Sequence, residues 1–107
     1  MNEPLVIGCN GFVSRIDTST GLEMWRTKLL PGLFGGSSCT DVSILLRGPL
    51  VFAGTHGHLF CLELSTGQIL WRNELKGMGY NDVALSMEGT SVQFLSKTVQ
   101  SNTSGTT

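Results

Sequence analysis

GHLFCLELSTGQILW, residues 57–71, is present twice in this chain. Its counterpart is GFVSRIDTSTGLEMW, residues 11–25, which aligns without a gap at an offset of 46, with Ser-Thr-Gly and Trp-Arg recurring in register. Self-similarity at a fixed spacing marks one supersecondary unit used more than once. In the later copy His58, Phe60, Leu62 and Leu64 alternate with Leu59, Cys61 and Glu63. Beyond Gly67, Ile69, Trp71 and Leu75 alternate with Leu70, Arg72 and Glu74. Period two on both sides of Ser65-Thr66-Gly67 predicts two strands and a short turn. The hydroxyls of the Ser/Thr pairs can bond to nearby backbone, and Gly21 and Gly67 supply the positive φ that such a turn requires.

The repeat extends outward. Residues 5–11 (LVIGCNG) match 51–57 (VFAGTHG), a strand ending in an Asn/His-Gly turn. Downstream, DVSILLRG (41–48) matches DVALSMEG (82–89) at an offset of 41, because the loop after Leu29 is five residues longer than the one after Leu75. Strands are predicted over 5–9, 12–17, 22–30, 41–47, 50–55, 58–64, 68–75, 83–88 and 91–97. With four strands a to d per unit, the order is b-c-d, a-b-c-d, a-b.

This pattern, D-x-S/T-T-G-x-x-x-W preceded by a hydrophobic strand and a G-x-x-G turn, resembles the PQQ-like (quinoprotein-type) β-propeller repeat with its tryptophan-docking motif. Two positions depart from it: a small residue is replaced by Arg15 and Cys61, and the acid is Asp17 in one copy and Glu63 in the other. The resemblance implies an all-β propeller of four-stranded antiparallel blades, about two blades per chain. Residues 1–97 form that unit, with repeats at about 4–48 and 49–89 and a spare strand at 91–97; residues 98–107 are expected to be a disordered tail. Trp25 and Trp71, with Gly21 and Gly67, are expected to pack between blades.

Propellers close with roughly four to eight blades, so two blades leave bare faces of roughly 400 Å² each, at or above what a soluble monomer exposes as one apolar patch. The first blade lacks strand a, and residues 82–88 supply a spare one. The expected partner is therefore the chain itself, in a head-to-tail cyclic homo-oligomer, a tetramer or trimer, with strand exchange. The competing explanation is a fragment of a longer polypeptide.

A net charge of −1 and a pI near 6.0 give no basic footprint, so neither nucleic acid nor membrane is expected as a partner. No signal peptide is visible, and Cys9, Cys39 and Cys61 read as reduced thiols, so a cytoplasmic location is expected. The Asn102 sequon would matter only in a secreted protein.

In the implied fold the b-c turns and d-a loops share one face. Candidate ligand-binding residues there are Asn10, His56 and His58 from the turns, Phe34, Tyr80 and Asn81 (with Met78) from the loops, and Asp41 and Asp82 at the starts of the innermost strands. The alternative for the aspartates is a bond to their own loop backbone. His56 and His58 are too few for a zinc site of three or four ligands, so no metal is expected. No adjacent cysteines, no Ser/His/Asp triad and no Glu/Asn/Asp loop mark a catalytic centre; PQQ and calcium are disfavoured as cofactors, and no catalytic residue is assigned. A noncatalytic binding or scaffold module recognising a protein or small polar ligand is the expected function. The alternatives are a carbohydrate-binding, lectin-like propeller, in which Tyr80, Asn81 and Asp82 suit stacking and hydrogen bonding to a sugar, and a quinoprotein-type oxidoreductase or a fragment of one.

Overall fold

Alternating sequence demands a sheet with one face buried, and the repeat supplies it twice. The computed structural model describes residues 3–29 and 41–92, and these are all-β, without a helix. The first sheet contains β1 (Leu5–Cys9), β2 (Phe12–Ile16) and β3 (Glu23–Lys28), in that order and antiparallel. The second contains β4 (Ser43–Arg47), β5 (Leu50–Thr55), β6 (His58–Glu63) and β7 (Ile69–Asn73), again a meander. A third pairs β8 (Leu85–Met87) with β9 (Thr90–Val92).

The two larger sheets are copies in register as well as in sequence. In the first, a bulge falls between Arg15 and Ile16 against β3; in the second it falls at the equivalent step, between Cys61 and Leu62 against β7. The β1–β2 turn has Asn10 at φ 50° and Gly11 at 80°, and the β5–β6 turn has His56 at 49° and Gly57 at 74°. Two successive positive φ values define the type I′ hairpin turn, whose twist matches that of the flanking strands.

The sheets stack face to face. Pairing of Ala53 with Phe60 and of Val51 with Leu62 puts these four side chains on one face of the second sheet. All four are fully buried, and they meet Val13 and Leu29 from the first sheet. Burying one such Phe or Leu contributes about 1.5–3 kcal/mol, so this layer is the main source of cohesion. Glycine sets how closely the layers approach. A Cβ built on Gly8 would lie 2.7 Å from Val42 Cβ, and one on Gly54 would lie 2.7 Å from Val83 Cβ. The third sheet therefore meets the second as the second meets the first.

Several strands are shorter than the alternation predicts. Asp41 and Val42 precede β4 because the Asp41 carbonyl accepts the Thr55 hydroxyl (2.6 Å) and Val42 packs on Gly8. Likewise the Val83 carbonyl accepts Ser43 Oγ, and β8 starts only at Leu85. Strand β7 stops at Asn73, whose Oδ1 accepts the Leu75 amide (2.8 Å) while Leu75 itself turns to φ 52°. Predicted strand residues 93–97 and the tail lie outside the described residues. Among those described, no helix is long and apolar enough to cross a membrane.

Candidate functional site

Gly57 brings the sequence-predicted residues of one turn and one loop together. Its amide donates to the Asn81 carbonyl (2.8 Å), and a Cβ at this position would fall 2.0 Å from the Gly79 carbonyl oxygen. Only glycine allows the β5–β6 turn to sit this deeply on the loop that follows β7. The aromatic residues of both segments gather as a result. His56 stacks on Tyr80 with centroids 5.4 Å apart, His58 lies 6.3 Å from Tyr80, and the two imidazoles are nearly parallel at 6.5 Å.

His58 is buried and anchored, with Nδ1 2.9 Å from the His56 carbonyl. The carbonyl can only accept, so Nδ1 is the donor in this contact. Tyr80, by contrast, is 65% exposed and presents a flat face to solvent. A cleft of about 340 Å³ runs between His58 and Tyr80 over Glu74, Leu75, Lys76, Gly77 and Gly79. It offers one acidic and one basic side chain beside an aromatic wall, a set suited to a polar, uncharged or zwitterionic ligand. Among the described residues no group of three or more His, Cys, Asp or Glu is arranged to hold a metal.

The other predicted site residues are distributed differently. Asn10 lines a separate cleft of about 360 Å³ on the open face of the first sheet, with Ile7, Cys9, Phe12, Ser14, Glu23 and Arg26. Asp41 is half-buried where β4 begins, next to Thr55, while Asp82 and Asn81 are exposed. Phe34 lies outside the described residues. Cys61 is a buried free thiol, and burial pushes its pKa up.

The polar network of the first cleft was missed in the sequence. Ser14 Oγ, almost fully buried, lies 2.5 Å from Glu23 Oε2 and 3.1 Å from the Trp25 carbonyl, so its one proton has two neighbouring acceptors. Glu23 also accepts from Arg26 Nε (2.8 Å) and Nη2 (3.0 Å). These contacts hold the Glu23 carboxyl below its usual range, the Arg26 bond contributing most and Ser14 next. Arg26 in turn lies 5.7 Å from the centre of the Phe12 ring. The signal was available in the repeat: Ser14 and Glu23 stand where the second copy has Phe60 and Ile69.

The two expected packing tryptophans have different surroundings. Trp25 is half-buried and packs over Gly67, donating from Nε1 to the Leu64 carbonyl (2.8 Å). Thr27 Oγ1 adds a bond to the Gly67 carbonyl (2.6 Å). Arg15, opposite Trp25 in the ladder, sends Nη1 to the same Leu64 oxygen (3.1 Å), which gives this departure from the repeat pattern a purpose. Trp71 is 46% exposed, touches Phe52, and borders an apolar cleft of about 190 Å³ between the second sheet and β8.

A scan against protein-family models gives no match to this chain, and a search of curated proteins finds no relative.

Proposed function

We propose that this chain is a noncatalytic binding or scaffold module, a PQQ-like β-propeller segment that assembles head-to-tail from several copies and binds its ligand on the turn-and-loop face. The observation that carries the reading is the cluster of His56, His58 and Tyr80, held by the seating of Gly57 on the 79–81 loop. A buried, oriented imidazole beside an exposed aromatic ring and a mixed-charge floor is a small-ligand pocket in its proportions. The repeated sheet-to-sheet spacing through Gly8 and Gly54 supports the propeller part of the reading, because an array with one constant step curves regularly. The buried reduced thiol of Cys61 accords with a cytoplasmic setting.

Within this reading the ligand can be a carbohydrate, and the exposed face of Tyr80 beside Asn81 favours it, since sugars stack on aromatic rings and bond to amides. A glycan array probed with the full chain tests this, with Tyr80→Ala as the control. Hits that vanish with the variant support the carbohydrate form. Hits that persist remove the site from consideration, and an empty array returns the ligand to a peptide or other polar molecule. Light scattering tests the assembly: a multimer of definite size is expected. Titration with the quinone and calcium, followed by absorbance and dye reduction, is expected to give no change; turnover would replace the noncatalytic reading by an oxidoreductase.

A further inference from the structure

The seam between the first two sheets provides a template that the molecule presents in two separate halves at its ends. Its donor half is Trp25 with Thr27, and its acceptor half is the turn at 64–67. The repeat carries the donor half to Trp71 and Asn73, and the acceptor half to the turn at 18–21. Among the described residues neither half meets its counterpart, although Trp71 touches Phe52 at the edge of the cleft against β8. Trp71 is 46% exposed, and the space a Cβ would take at Gly21 is open to 4 Å, whereas at Gly67 it is filled by the Trp25 ring at 2.4 Å.

The turn at 18–21 is already in the docked conformation. Gly21 donates to the Asp17 carbonyl at 2.7 Å, as Gly67 does to Glu63 at 2.7 Å. In return the Asp17 amide donates to the Leu22 carbonyl at 2.8 Å, as the Glu63 amide does to the Gln68 carbonyl at 2.8 Å. The Thr20 and Thr66 hydroxyls accept the amides of Leu22 and Gln68, both at 3.2 Å, and the two glycines have φ of 80° and 81°. A preorganised surface loses little freedom on binding. Apolar surface accompanies it: Leu5 and Ile7 are 44% and 45% exposed, while their equivalents Val51 and Ala53 are fully buried against the first sheet.

We infer that a second copy of this chain occupies both halves head to tail. Trp71 of one copy lies over Gly21 of the next and donates from Nε1 to the Thr18 carbonyl, and the Asn73 amide donates to the Gly21 carbonyl. This geometry places β1 of the incoming copy alongside β8, so that β9 gives up its pairing with β8 (Leu85 with Val92, Met87 with Thr90) and the incoming strand replaces it. The seam rests on the head-to-tail reading above and specifies it to individual atoms.

The test uses two variants of the full chain, each with one half removed. Trp71→Ala removes the donor. Gly21→Asn fills the ring's place with a Cβ, and asparagine tolerates the positive φ. The expected result is a wild-type multimer, loss of that multimer in each variant alone, and recovery of a dimer, no larger, when the two are mixed; isotope labelling of one variant shows the dimer to be mixed. Circular dichroism and the urea midpoint confirm that each variant is folded. Trp71→Phe keeps the ring and removes the donor, so roughly 2- to 10-fold weaker association is expected, the worth of one hydrogen bond. A wild-type multimer that neither variant disturbs overturns this seam and leaves the ring reading standing. Variants that dissociate but do not recover on mixing overturn it too. A wild-type monomer at every concentration ends both.

Discussion

Adding one methyl group at Gly67 and one at Gly21 separates backbone strain from sheet docking. Both glycines head the same turn, at φ 81° and 80°. An alanine in the left-handed region costs about 1–2 kcal/mol at either position. At Gly67 the new Cβ also meets Trp25 Cε3 at 2.4 Å, Trp25 Cδ2 at 2.5 Å and Thr27 Oγ1 at 2.8 Å. The indole cannot yield without giving up its bond to Leu64 and its packing, an overpacking cost of about 1–3 kcal/mol. Gly67→Ala is therefore expected to destabilise by about 2–5 kcal/mol and Gly21→Ala by about 1–2 kcal/mol. Urea unfolding, run with both changes in a Trp71→Ala background so that only the intramolecular seam is read, should place the Gly67→Ala midpoint lower by about 1 M, taking an m-value of about 2 kcal/mol/M. Equal midpoints would show that Trp25 does not press on this turn, and would refute the seam as the template for any intermolecular contact.

Trp25→Phe should cost only about 1 kcal/mol in urea unfolding, because Arg15 still donates to the Leu64 carbonyl and leaves it bonded; a loss several times larger would mean that Arg15 moves with the indole. Glu23 is held below its ordinary pKa in the folded state, so the stability it adds is present above the unfolded carboxylate pKa and disappears as pH falls through the folded value. The acid limb of the wild-type stability curve should accordingly be steeper than that of Glu23→Gln, and parallel limbs would contradict the assignment. Cys9 is exposed, whereas the Cys61 thiol is buried and raised in pKa. Iodoacetamide with peptide mass mapping, applied in the Trp71→Ala background so that β1 stays uncovered, should therefore modify Cys9 well before Cys61; equal rates would show that the second sheet opens easily.

Much of this architecture is written plainly in the repeat. The alternation around Ser-Thr-Gly located the hairpins, and Asn10-Gly11 and His56-Gly57 announced their turns, because the local chemistry of glycine and hydroxyls acts over two or three residues. Strand ends were less legible: Asp41 and Val83 obey the alternation, yet their carbonyls are taken by the side chains of Thr55 and Ser43 from elsewhere in the chain. The candidate site was half legible. The 56–58 turn and the 79–81 loop do converge, but only the close approach of Gly57 to Gly79, invisible in one dimension, brings them together, and of the predicted residues His58 and Tyr80 line the cleft. The different environments of Trp25 and Trp71 were not legible, since identical motifs say nothing about which neighbouring layer is present. Ser14 and Glu23 could have been noticed as polar intruders at apolar positions of the repeat, although their link to Arg26 depends on the pairing across β2 and β3.

Gly8 and Gly54 act as hinges of fixed opening, each admitting a valine where any larger residue would drive a wedge between neighbouring layers. Because both use the same spacing, the two junctions between layers are built alike. A single added carbon at either glycine would have to displace that valine, and with it the layer to which the valine belongs.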